Sequence, residues 1–367
     1  MPSRSSLGAD GCSQKIQRSM NQRKETVERV LTGDRPTGKL HLGHYVGTLK
    51  NRVRLQDTAE LFIVIADYHA LTTEKTRAEL AQVADYIDAM VLDYLSIGID
   101  PKKATIYVQS DVPQVCELQL ILSMLVSVAQ AQRVPTLKDL IGVRSPESPS
   151  MGLLGYPILQ AADILLMRAG LVPVGRDQEP HIELCREIAR RFNHLYGKVF
   201  PEPQALIGEM PSLVGIDGKE KMSKSLDNAI YLSDTEKDVG KKVMSMYTDP
   251  NRIRATDPGR VEGNPVFIYH ELFNSDRDEV EQLKIRYRAG QVGDVEVKKR
   301  LQTALNRFLS PIRVSRARYV NKPEIVSEIL SRGRSKAQAE GRETLRLARQ
   351  ALGMVYPLRE IFAVENT

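Results

Sequence analysis

The 367-residue chain has only three cysteines, Cys12, Cys116 and Cys185, scattered and odd in number. They supply neither a disulfide framework nor a CxxC metal pair, which leaves a reducing, cytoplasmic setting as the expectation. No run approaches the roughly 18 consecutive apolar residues that cross a bilayer, so no membrane partner is expected. The N-terminus lacks an apolar block followed by small residues, so no secretory leader is expected either. No set of carboxylates, histidines or cysteines reads as a metal site, and no internal repeat is visible.

What is present is ordinary for a soluble globular protein: 42% hydrophobic and 27% charged residues, with a net charge of +6. The length exceeds one typical domain. The charge is unevenly spread. Residues 300–350 hold twelve Lys and Arg against four Glu, and residues 1–24 hold five against one Asp, so the stretch between is mildly acidic. A basic C-terminal region beside an acidic body suits a polyanion held at one end of the molecule, although a solvated helix surface also carries such arginines. Residues 1–24, rich in Ser, Arg and Gln, read as a disordered basic tail.

From Val30 the pattern is strand (30–32), glycine-bearing loop (33–38) and helix (42–55). Residues 61–66 form a continuous apolar run of the buried parallel-strand type, 74–95 have helical periodicity, and 105–109 read as the next strand. Further on, 156–168 read as helix, 171–174 as strand and 178–194 as helix. Beyond about residue 228 helical patterns dominate. Alternating strands and helices predict a parallel α/β sheet, whose sites lie at the carboxyl ends of the strands. His69 and the 33–38 loop fall at such ends.

Three constellations carry chemistry. The first is His41, Leu42, Gly43 and His44, opening a helix after Pro36, Thr37 and Gly38. Two imidazoles at a helix start, with Gly43 permitting close backbone approach, make a cradle for phosphate oxygens, though two loop histidines capping local backbone would look the same. The second is Lys221, Met222, Ser223, Lys224 and Ser225, preceded by Asp217, Gly218 and Lys219. Two lysines and two hydroxyls on a glycine-led loop form a clamp suited to a triphosphate, or else a solvated basic turn. In the third, Tyr156, Gln160 and Asp163 are spaced i, i+4, i+7 and share one helix face. Polar groups on an otherwise apolar face suggest a pocket, while a satisfied buried Asp is the plainer alternative.

The pair HLGH and KMSKS, in this order and on these elements, resembles the signatures of the class I aminoacyl-tRNA synthetases, over about residues 30–353. The string Ala161, Ala162, Asp163, Ile164, Leu165, with Gly175, Asp177, Gln178, His181, Ile182, Glu183 and Leu184, is similar to the tryptophan branch of its tryptophan and tyrosine subgroup. The resemblance implies a Rossmann-like parallel-sheet catalytic domain (25–227), a helical anticodon-binding domain (228–320) and a C-terminal helix (321–367) packing back on the catalytic body. It implies ATP-dependent activation of L-tryptophan to tryptophanyl-adenylate, transfer to tRNA(Trp), Mg²⁺ accompanying the nucleotide, and a homodimer.

By the same resemblance, His41, His44, Lys221 and Lys224 stabilise the reacting phosphates. Arg35, Pro36, Thr37, Gly43, Gly175, Arg176, Asp177, Met210, Met222, Ser223 and Ser225 would meet ATP. Asp163 would accept the indole N–H, Tyr156, Gln160 and Gln178 would hold the α-ammonium, and His69, Leu31, Val172 and Val174 would wall the ring.

An indole offers one donor and no acceptor, so a fixed carboxylate favours it over a phenyl ring. A phenol could also donate to Asp163, which keeps a tyrosine enzyme open as the nearest rival. Three positions depart from the family pattern: Gln160 stands where methionine is usual, Arg35 where glutamine is usual, and Leu140 where a second lysine would follow Lys138, with Arg144 as its candidate substitute. These keep open a specialised second copy that binds indoles or a partner protein.

Overall fold

The computed structural model describes residues 28–356, except 73–75, 136, 138–148, 208–211, 225, 250–251, 253 and 255. The expected tail, Met210, Ser225 and the positions Lys138, Leu140 and Arg144 lie outside the described residues.

Five parallel strands form one sheet: β1 (Arg29–Asp34), β2 (Glu60–Ile65), β3 (Ala104–Val108), β4 (Leu171–Val174) and β5 (Gln204–Ile207). Their spatial order is β3-β2-β1-β4-β5, so the chain builds outward on one side of β1 and then crosses to the other. That reversal opens a crevice at the carboxyl ends of β1 and β4. Both faces of the sheet are buried. Val30, Leu61, Ile63 and Ile65 pack into one apolar cluster, while Leu31, Phe62 and Val64 pack into the other. Two-residue alternation with both faces covered is why β2 reads as an unbroken apolar run.

Nine helices long enough to matter here follow in order among the described residues: α1 (Val83–Ser96), α2 (Gln114–Ser123), α3 (Met151–Leu166), α4 (Glu179–Tyr196), α5 (Glu236–Met244), α6 (Pro265–Phe273), α7 (Arg277–Arg288), α8 (Asp294–Ala317) and α9 (Pro323–Ala351). Helices α2, α3 and α4 cover one face of the sheet, and α1 with the α5–α8 region covers the other. Helix α9 returns to the sheet and lies against β3. A Cβ placed on Gly333 would fall 1.7 Å from the carbonyl oxygen of Ile106, so only glycine permits this approach.

Several elements differ from the sequence expectation. The helix expected over 42–55 is a short α-turn (Leu42–His44), a π-helical turn (Tyr45–Leu49) and an α-helix (Lys50–Leu55). The helix expected over 74–95 is interrupted at Gln82, and α3 begins five residues early, with Pro157 in its second turn. Strand β5 and helix α2 carry no reading from the sequence.

Candidate functional site

The first cluster is built where two distant loops meet. His41 is extended, with φ −123° and ψ 171°, and bridges antiparallel to Tyr231. Around it Leu42 N–H donates to Ile230 O (2.9 Å) and Leu232 N–H donates to Leu40 O (3.0 Å). The HLGH segment is thereby fixed to the chain just beyond KMSKS. Gly43 N–H points at the Met222 sulfur, 3.3 Å away. A side chain at Gly43 would meet the His41 ring at about 2.9 Å, which accounts for the glycine.

The KMSKS loop is a tight turn anchored at its base. Gly215 N–H donates to Glu220 O, Met222 N–H donates to Leu213 O, and Gly218 takes the left-handed backbone with φ 71°. Ser223 N–H donates to the side-chain oxygen of buried Asn228 (2.7 Å), whose amide donates to Asp217 (3.2 Å). Lys224 reaches back to the first loop and donates to Gly38 O at 2.9 Å. Lys221 remains exposed.

The His41 and His44 ring centroids are 3.8 Å apart, and His44 Nδ1 accepts from His41 N–H at 3.1 Å. Burial, with positive neighbours including Lys224, pushes His41 down to about 2. Burial takes His44 to about 4, against the pull of Asp34. Both imidazoles are therefore neutral at physiological pH. Accepting at Nδ1, a neutral His44 carries its proton on Nε2 and can donate it. Burial lowers Lys224 to about 8, with Asp34 and Asp93 opposing.

Beneath the cradle Asp34 is locked by Arg52 at 2.5 and 3.1 Å and by the Tyr94 hydroxyl at 2.8 Å. Burial opposes ionisation there, but the Arg52 guanidinium wins and holds the Asp34 carboxyl well below its usual range.

The second cluster forms at the carboxyl ends of β2 and β3 against α3. Asp163 is buried, with Oδ2 3.1 Å from His69 Nε2. Gln109, the first residue after β3, donates its amide to both Asp163 oxygens at 2.8 Å. Tyr68 N–H in turn donates to the Gln109 side-chain oxygen (3.1 Å), which sets the amide's orientation. Tyr156 stands edge-on to His69, with ring centroids 6.4 Å apart, and its hydroxyl lies 3.3 Å from His181 Nε2. Burial, then the proximity of His69, lowers His181 to about 4. Leu31, Val172, Val174 and Tyr156 belong to one apolar cluster.

The structure thus brings together His41, His44, Gly43, Met222 and Lys224 in one group, and His69, Tyr156 and Asp163 in another. Gln160 is half-buried on the same helix as Tyr156 and Asp163. At the end of β4, Gly175 turns the chain so tightly that a Cβ would lie 2.7 Å from Asp177 Oδ1. Arg176 and Asp177 are exposed, and Gln178 donates to Asp177 at 3.1 Å. Arg35 is exposed, Pro36 buried and Thr37 half-buried in the loop after β1.

Gln109 and Asn228 escape the sequence reading, and His181, named there only in the string that carries the resemblance, has no role assigned. The strand-end position that singles out His69 applies equally to Gln109. Of the basic stretch over 313–349, several arginines pair with carboxylates: Arg316 with buried Asp93 (2.5 Å) and, at the surface, Arg349 with Glu117 (2.6 Å). Among the described residues no three His, Cys, Asp or Glu side chains form a metal-holding group, and no helix is long and apolar enough to cross a membrane.

Residues 23–310 match a family model described as tRNA synthetases class I (W and Y). A protein of Treponema pallidum (strain Nichols) named tryptophan–tRNA ligase is 55% identical over 326 residues, covering 89% of this chain and 97% of that one. A protein of the same name from Chlamydia caviae is 54% identical over 330 residues, with 89% and 94% covered. Among solved structures, tryptophanyl-tRNA synthetase from Campylobacter jejuni, complexed with ADP and tryptophan, superposes with a TM-score of 0.78 at 36% identity, covering 89% and 99% of the two chains.

Proposed function

The chain belongs to the class I tRNA synthetases of the tryptophan and tyrosine group, and we infer from this that it is the tryptophan enzyme of the pair. It is an aminoacyl-tRNA ligase that uses ATP to activate L-tryptophan and transfers the product to tRNA(Trp). Three relatives at 53–55% identity over 89% of the chain carry the tryptophan name, which disfavours the tyrosine alternative.

In the first step a carboxylate oxygen of tryptophan attacks the α-phosphorus, and the bond to the bridging oxygen breaks to release pyrophosphate. No covalent enzyme intermediate is needed; positioning and charge stabilisation supply the rate. Neutral His41 and His44 donate N–H groups to phosphate oxygens, and Lys221 and Lys224 carry the charge that develops on the leaving group. Met222 holds Gly43, so the second motif also shapes the first. Arg35, Pro36, Thr37 and Ser223 line the phosphates. Gly175, Arg176 and Asp177 take the ribose. Magnesium arrives with the substrate as MgATP, held by phosphate oxygens; the nearby carboxylates Asp34 and Asp93 are already engaged by arginines. In the second step the terminal ribose hydroxyl of tRNA attacks the adenylate carbonyl, and AMP leaves.

Asp163 accepts the indole N–H, and His69, Leu31, Val172 and Val174 enclose the ring. Tyr156, Gln160 and Gln178 take the α-ammonium. Exposed apolar Leu120, Met124, Val128 and Met151 on and beside α2 and α3 support a homodimer, and the α5–α8 region is the anticodon-binding part. The cytoplasm, where tRNA is charged, is its place.

The observation that carries this reading is the interlock of the two motifs: Gly43 on Met222 and Lys224 on Gly38. Amino-acid-dependent ATP–pyrophosphate exchange tests it. Tryptophan should support exchange and tyrosine should not; equal rates would overturn the assignment.

A further inference from the structure

Helix α8 grips the phosphate cradle from behind at two points. Asp93, on α1, has no exposed surface. Its Oδ2 accepts from Leu40 N–H at 3.1 Å, one residue before His41. Its Oδ1 accepts from Arg316 of α8 at 2.5 Å. One turn earlier, Arg313 donates to Asp234 O at 3.2 Å and also to Asn306. The Asp234 carboxylate in turn accepts from Tyr231 N–H (2.9 Å) and Lys242 (2.6 Å). Tyr231 is the residue that bridges to His41. Earlier on the same helix, Phe308 lies edge-on to Tyr45, with centroids 5.0 Å apart.

The two arginines therefore hold the two sides of one short β-bridge. Arg316 holds the HLGH side through Asp93, and Arg313 holds the side that follows KMSKS. A fully buried carboxylate is a poor way to add stability, because apolar residues of similar size do as well at less desolvation cost. It is a good way to fix one backbone N–H in one direction.

We propose that Asp93 and Arg316 are positioning residues for adenylate formation, fixing the backbone at Leu40 and hence the aim of the His41 and His44 rings against the helical region. The inference rests on the reading of HLGH as the phosphate cradle. Neither residue touches substrate. Their loss misdirects the imidazoles in the transition state while leaving the tryptophan pocket, built on β2, β3 and α3, unchanged.

The test is steady-state tryptophan-dependent pyrophosphate exchange by the full chain carrying Arg316→Met or Arg316→Lys, with melting curves alongside. The expected result for Arg316→Met is a kcat lowered at least tenfold with the KM for tryptophan within twofold of the parent. Arg316→Lys keeps the charge but not the reach, and should fall between the two. A folded Arg316→Met protein with kcat within twofold of the parent overturns the proposal, whatever its melting temperature. Should Arg316→Met fail to fold, Arg316→Lys decides: a kcat loss of threefold or more at unchanged KM supports positioning, and an unchanged kcat overturns it. A parent protein without exchange activity would instead overturn the reading of the cradle itself.

Discussion

Lys224 and Gly38 meet at 2.9 Å, the ammonium of one signature loop donating to a backbone carbonyl of the other, 186 residues earlier. The contact places a cation over the first loop, where a phosphate oxygen can replace the carbonyl. Lys224→Ala should slow tryptophan-dependent exchange by roughly 10²–10³-fold, the scale for removing one stabilising group from a developing charge. Circular dichroism melting should change little, since the lysine contributes a single part-buried hydrogen bond between the two loops. Exchange within threefold of the parent would remove Lys224 from the mechanism.

The same lysine gives a pH dependence. Burial lowers it to about 8, so the free enzyme carries a charged Lys224 below that value and loses the charge above it. The kcat/KM for ATP should therefore fall as pH rises past about 8. His41 and His44, at about 2 and 4, stay neutral above pH 6 and should add no acid limb between pH 6 and 7.5. For stability the sign is that of depressed bases. The contribution is present above the unfolded imidazole value of about 6.5 and is lost as pH falls through about 4. Melting temperatures measured from pH 7 to pH 4 should decline accordingly.

Asp163 is held by an amide that donates to both its oxygens. Asp163→Ala should raise the KM for tryptophan roughly 10- to 100-fold, the worth of one hydrogen bond to a charged group (about 1.5–3 kcal/mol). Asp163→Asn should do little better, because either orientation of its amide puts an N–H against the Gln109 donor. Adding Gln109→Glu to Asp163→Asn, which supplies an acceptor for that amide, should recover part of the loss. Titration of tryptophan in the exchange assay measures all three.

Gly333 of α9 lies against the backbone of β3, where a Cβ would come 1.7 Å from the carbonyl of Ile106. Gly333→Ala should lower stability by about 1–3 kcal/mol through forced separation of helix and sheet, outweighing the helix propensity of alanine. Gly341→Ala, on the same helix, meets only the Gln114 and Leu166 side chains at 3.2 Å or more and should be nearly neutral. Paired urea titrations compare them.

Much of this was legible in the residue order. β2 is an apolar run because both its faces are covered, and HLGH and KMSKS declare themselves by spacing within a few residues. Asp163 was legible for the same reason, as the third polar residue on one helical face. What escaped is long-range or irregular. Gln109 meets Asp163 across 54 residues and Asp93 meets Arg316 across 223, distances at which sequence spacing carries no geometry. The π-turn Tyr45–Leu49 breaks the helical period without a proline or glycine pair to announce it. Strand β5, four residues at the sheet edge after Pro201 and Pro203, is too short to show a period.

Aminoacylation of tRNA(Trp) by the purified full chain, with tryptophan and tyrosine compared side by side, tests the central claim most directly. Charging with tryptophan alone, dependent on ATP, is the expected result. Charging with tyrosine, or tight tryptophan binding with no charged tRNA, would contradict it.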